Sequence, residues 1–173
     1  MLHAPKMNKI IVFLCFSSLL LTSCYKDSDD EMTVEGVWEL TAYNVIDGFD
    51  INNDGMAHVN LLNELSCSNN ETLVFNSKGI VTSNQTFNPN IQISLVNSTS
   101  HNYIFNVICD AEGTIGFATN FTVNGNMVLL NDSVLTLNGD TLSRIFVVAI
   151  KIYNQDFSQV VATKDVTLVY TKQ

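Results

Sequence analysis

Proline is nearly absent, at 2 of 173 residues; glycine is held to 8, and lysine and arginine together number 8. Each scarcity excludes something. A chain this poor in proline and glycine is neither collagen-like nor a low-complexity linker. Its few basic residues face 17 acidic ones, for a net charge of −9, so no basic stripe is available to displace counterions from nucleic-acid phosphates. Nowhere do about 20 apolar residues run together, the length a helix needs to cross a bilayer core. Motifs that announce chemistry are missing too: there is no G-x-S-x-G, H-E-x-x-H, Walker loop or G-x-G-x-x-G. No enzyme is expected. What is present is 46% apolar residues, enough for the core of one domain.

The first residues read as an address. Met7-Asn8-Lys9 leads into a mainly apolar run over residues 10–21, as in a signal peptide. It ends in Leu21-Thr22-Ser23-Cys24, which resembles a bacterial lipobox. The resemblance implies cleavage before Cys24, diacylation of its thiol and acylation of the new amine, with chains of the palmitate kind. Two or three such chains, at ~0.8 kcal/mol per buried CH₂, make a stable anchor in a membrane. An ordinary signal peptide with an incidental cysteine is the alternative. Lys26-Asp27-Ser28-Asp29-Asp30-Glu31 follows. It reads either as a self-repelling tether or, by resemblance to the export signal of Bacteroidetes lipoproteins, as an address for the outer face of the outer membrane. The periplasmic side is the other location. The expected organisation is a signal peptide over 1–23, an acidic tether over 24–34 and a folded domain over 35–173. Residues 1–23 contain Lys6, Lys9 and no acid, so the mature 150 residues keep 6 basic and 17 acidic side chains, net −11.

The domain reads as strands. Trp38, Leu40 and Ala42 alternate with polar neighbours, as do Ile91, Ile93 and Leu95, and then Tyr103, Phe105 and Val107. Two long runs close the chain, with Phe146, Val148, Ile150 and Ile152 sharing one face and Val166, Leu168 and Tyr170 another. Asn124-Gly125 and Asn138-Gly139 are hairpin signals, because tight turns need positive φ. Met56, Val59, Leu62 and Leu65 recur every three residues, which predicts one short helix over about 57–65. Eight to ten strands at this spacing predict an all-β fold, an antiparallel up-and-down meander closing into a barrel, with a β-sandwich as the competing architecture.

Gly36-Val37-Trp38 matches the G-x-W signature of lipocalins, and the stretch from Gly36 to Gly79 resembles the lipocalin-like lipoproteins of Bacteroidetes. Those share the G-x-W, an Asp/Asn/Gly-rich loop, a Cys and a strand ending in an Asn/Lys/Gly turn. Two lipocalin features differ: there is no T-D-Y motif, and the basic residue near the last strand's end is Lys172 rather than Arg. The resemblance implies a lipocalin-like barrel with Trp38 closing its bottom.

With Cys15 in the signal and Cys24 lipidated, Cys67 and Cys109 remain, and an envelope protein most simply pairs them. A catalytic thiol is the alternative, but no histidine motif accompanies either one. Asp50, Asn52 and Asp54, followed by Gly55, form the first half of a calcium loop. Position 12 is Leu61 rather than an acid, and the competing reading is a turn whose Asx side chains bond their own backbone. The expected function is non-catalytic binding of a small apolar or amphipathic ligand by a monomer, with Trp38, Tyr103, Phe105, Phe146 and Val148 as candidate lining residues. A structural module that contacts another surface protein or a glycan is the second expectation.

Overall fold

Strands that alternate apolar and polar side chains build a sheet with one dry face, and that face must be covered or curled on itself. The computed structural model describes residues 33–97, 102–109, 115–131 and 133–173. The expected signal peptide, Cys24 and the expected tether as far as residue 32 lie outside them. Eleven strands follow in order: β1 (Gly36–Phe49), β2 (His58–Asn60), β3 (Thr72–Phe75), β4 (Ile80–Ser83), β5 (Asn90–Leu95), β6 (Tyr103–Ile108), β7 (Phe117–Asn124), β8 (Met127–Leu130), β9 (Ser133–Asn138), β10 (Thr141–Tyr153) and β11 (Val160–Lys172). Among the described residues no helix is long and apolar enough to cross a membrane.

Eight of these strands close on themselves. β1, β3, β4, β7, β8, β9, β10 and β11 pair antiparallel in that order, and β11 returns to β1, so the expected all-β barrel is what the chain forms. Closure leaves these eight without an unpaired edge, which a sandwich would not. The turn at Asn76–Gly79 and the Gly125-Asn126 and Gly139-Asp140 turns all lie at one end. In the latter two, φ is positive only at the glycine, +60° at Gly125 and +57° at Gly139, so the turn centres fall one residue later than the Asn-Gly pairs suggest.

Trp38 fills that end. Its indole is fully buried, lies opposite Leu73 on β3 and Lys172 on β11, and donates from Nε1 to the carbonyl of Val34 at 2.7 Å. The Lys172 ammonium stands 5.5 Å from the indole centroid and donates to the carbonyl of Thr33, so the segment before β1 wraps under the barrel.

At the other end the wall is uneven. β1, β10 and β11 run 13 or 14 residues, whereas β3, β4 and β8 have four. The tall side carries a β5–β6 hairpin, joined to β10 by a short parallel pairing of Ile93 with Ile152 and Ser94 with Tyr153. These two strands, read from sequence simply as further members of the meander, stand outside the closed ring.

The predicted helix over 57–65 is corrected. Residues 58–60 form β2 against β1, and only Leu61–Asn63 turns, as one 3-10 turn. Asn60 decides this: its Oδ1 accepts from the amides of both Tyr43 and Leu62, which ties the segment to the sheet. Gly48 permits the approach, since a Cβ there would lie 2.7 Å from the carbonyl carbon of His58. Met56 and Val59, half of the supposed apolar stripe, are exposed.

Candidate functional site

Above the Trp38 plug the barrel is not filled. A cavity of about 350 Å³ opens toward the uneven end. Its apolar wall includes Leu73, Phe87, Phe117, Leu135, Phe146 and Leu168. Tyr43, Glu71, Arg144 and Tyr170 also line it, with Thr86 and Asn88 as further polar side chains.

Glu71 is placed by the backbone on either side of it. Its carbonyl accepts from the amide of Leu40 at 3.1 Å, while the Glu71 amide donates to Asn69 Oδ1 and Asn69 Nδ2 donates to the carbonyl of Leu40. The carboxylate is thereby held inside the barrel with both oxygens engaged. Oε1 accepts from the hydroxyl of Tyr170 at 2.5 Å and Oε2 from the amide of Phe87 at 2.7 Å. Burial pushes the Glu71 carboxyl above its ordinary range, outweighing those two hydrogen bonds and the charge of Arg144. Burial, the Glu71 charge and the Glu71 hydrogen bond together drive the Tyr170 hydroxyl strongly upward, so it stays protonated and donating. Tyr43 is raised by burial and then by Glu71.

Arg144, the only arginine in the sequence, projects from β10 into the cavity. Its Cζ stacks 4.1 Å above the ring of Phe146. Burial lowers its pKa somewhat, against the pull of Tyr170 and Glu71, and a guanidinium remains charged regardless. The ion pairs among the described residues are His58–Glu64 and Lys164–Asp47, so Arg144 has no carboxylate within 4.0 Å. This cluster offers donors within an apolar wall. Glu71 accepts from Tyr170 and Phe87, and Tyr170 is held as a donor, an arrangement suited to recognition.

Of the residues singled out from sequence as lining a ligand, Phe146 borders this cavity. Trp38 is sealed in the plug below. Tyr103 and Phe105 stand on β6 outside the ring, packing edge-on against Phe49 at 5.5 and 5.8 Å beside a separate shallow hollow. Val148 faces solvent, 52% exposed. It breaks phase because β10 takes four steps from Phe146 to Ile150 while β11 takes two from Val166 to Lys164. The bulge puts Val148 at φ +57°, with its amide donating to Asp165 Oδ1.

Cys67 and Cys109 are joined, with Cα atoms 5.2 Å apart, linking the segment after the 3-10 turn to the end of β6. The acidic loop is built from its own hydrogen bonds. Asp50 accepts from the amides of Asp54 and Gly55, Asn52 Oδ1 from the amide of Asp54, and Asp54 Oδ1 from the amide of Met56. These are Asx turns, in which Asp50, Asn52 and Asp54 each accept at least one backbone amide. Glu64, buried, closes the loop: Oε2 accepts from the amides of Ile51 and Asn52 and Oε1 contacts His58 Nδ1. Among the described residues no group of three His, Cys, Asp or Glu could hold a metal ion.

Glu71 and Arg144 went unread in the sequence, yet both carry a legible signal. Each lies in phase with an inward apolar face, Glu71 with Leu73 and Phe75, Arg144 with Leu142 and Phe146. A charge on the dry side of a strand is costly unless something answers it. No protein-family profile, curated protein or solved structure matches the chain, so what the barrel does must be read from this cavity.

Proposed function

We propose that this is a lipid-anchored, non-catalytic binding protein of the bacterial outer membrane, akin to the lipocalin-like lipoproteins, whose barrel takes one small apolar or amphipathic ligand. One observation carries the reading: a cavity of about 350 Å³ in the barrel, apolar for most of its wall, with Tyr43, Glu71, Arg144 and Tyr170 among its polar lining. That size falls within the range of ligand pockets, ~300–1,000 Å³. Anchoring and address rest on Leu21-Thr22-Ser23-Cys24 and the acidic run after it.

Native mass spectrometry of the purified full chain, with and without a chelator, tests the reading. A small organic adduct that survives chelation is expected. A bare protein mass in both arms would favour the second reading, a module that contacts another surface protein or a glycan. That reading has its own support in β6, which among the described residues pairs with β5 alone and bears Ile104 and Ile108 half-exposed.

A further inference from the structure

We propose that the ligand is a singly charged acid with a short apolar tail, its carboxylate held by the guanidinium of Arg144. The inference rests on the binding reading above and names its ligand class. Arg144 is partly withdrawn from water, stacked on Phe146, and lacks any hydrogen-bond acceptor among the described residues. Glu71 does not pair with it: no ion pair joins the two within 4.0 Å, and the Glu71 oxygens accept from Tyr170 and Phe87. The guanidinium carbon lies over the Phe146 ring, 4.1 Å from its centroid, and its N–H groups make no hydrogen bond among the described residues. That fork matches the two oxygens of a carboxylate.

The hydroxyl of Tyr43 on the same wall also makes no hydrogen bond among the described residues, so a second donor lies within the same cavity. Charge count limits the head group. The cavity holds one cation, and the nearby carboxylate of Glu71 repels further negative charge, which favours a monoanion over a phosphate dianion. The volume, near the low end for ligand sites, limits the tail.

The test compares two probes that differ only in the head, octanoate and octan-1-ol, titrated calorimetrically into the purified full chain. The wild type is expected to favour octanoate by about tenfold or more, the scale of one charge-assisted bond. Arg144→Met should abolish that preference, and Arg144→Lys should restore part of it. Should the methionine variant fail to fold, the wild-type preference and the lysine variant still decide. Equal wild-type affinity for acid and alcohol would overturn the carboxylate assignment and leave ligand binding standing. Binding of neither probe would overturn both.

Discussion

Two buried glutamates in this domain have opposite electrostatic fates. Burial raises Glu64, but the hydrogen bond with His58, the amides of Asn52 and Ile51 and the charge of His58 more than reverse it, and its carboxyl sits below the ordinary range. Glu71 sits above it. A carboxyl with a lowered folded-state pKa contributes stability that is present above its unfolded value and lost as pH falls through the folded one. A raised pKa does the reverse: the native chain holds the proton more tightly, so stability declines as pH climbs from the ordinary carboxylate range through the folded value. Glu64→Gln should therefore cost about 1.5–3 kcal/mol at pH 7, as expected for bonds to a buried charge. Glu71→Gln, which keeps an acceptor for the Phe87 amide, should cost little at pH 7 and flatten the decline above pH 5. Urea unfolding between pH 4 and 8 separates the two, and parallel profiles for both variants would refute the contrast. Neither environment could be read from sequence, since burial depends on which strand lies opposite. Phase, however, was visible at both Glu71 and Arg144.

Strands were the legible elements because a period of two needs only neighbours to be recognised, and Trp38, Leu40, Ile93 and Leu168 fall inside as their alternation requires. Where the period slips, local pattern misleads. The β10 bulge turns Val148 outward, and a three-residue recurrence over 56–65 imitates a helix that the pairing of Asn60 with β1 forecloses. Pairing of Cys67 with Cys109 could be expected from cysteine arithmetic alone, but its consequence could not: it ties the external hairpin to the segment after the 3-10 turn. For a separation of 42 residues, the chain-entropy relation gives about 4 kcal/mol as an upper figure. The double substitution Cys67→Ser, Cys109→Ser is expected to lower the unfolding free energy by about 2–4 kcal/mol. Treating the wild type with reductant should reproduce that loss in a denaturant titration. An unshifted midpoint in both experiments would mean that the bridge adds nothing to stability.

For the molecule as a whole, ring closure and the hairpin outside it set a gradient of stability. Amides of the ring lie between paired neighbours on both sides, whereas β6 has one partner and its hairpin joins β10 through a two-residue parallel pairing. Local opening is easiest where backbone pairing and burial are least. Amides of β6 should exchange with solvent well before those of Leu142 and Leu168, measured by hydrogen exchange with mass spectrometry. Protection of β6 equal to the ring would mean that the two unfold as one unit. The ring order was largely visible in sequence, because neighbours in the chain are neighbours in the barrel except across the β5–β6 excursion. The empty interior was not, since it depends on how far eight inward faces reach toward one another. The polypeptide comes in beneath the Trp38 plug, through Thr33 and Val34, and its final strand finishes beside it, where Gln173 donates to the carbonyl of Val37. Both ends of the described residues, Thr33 and Gln173, therefore stand at the plugged end, and the opposite rim is clear of them.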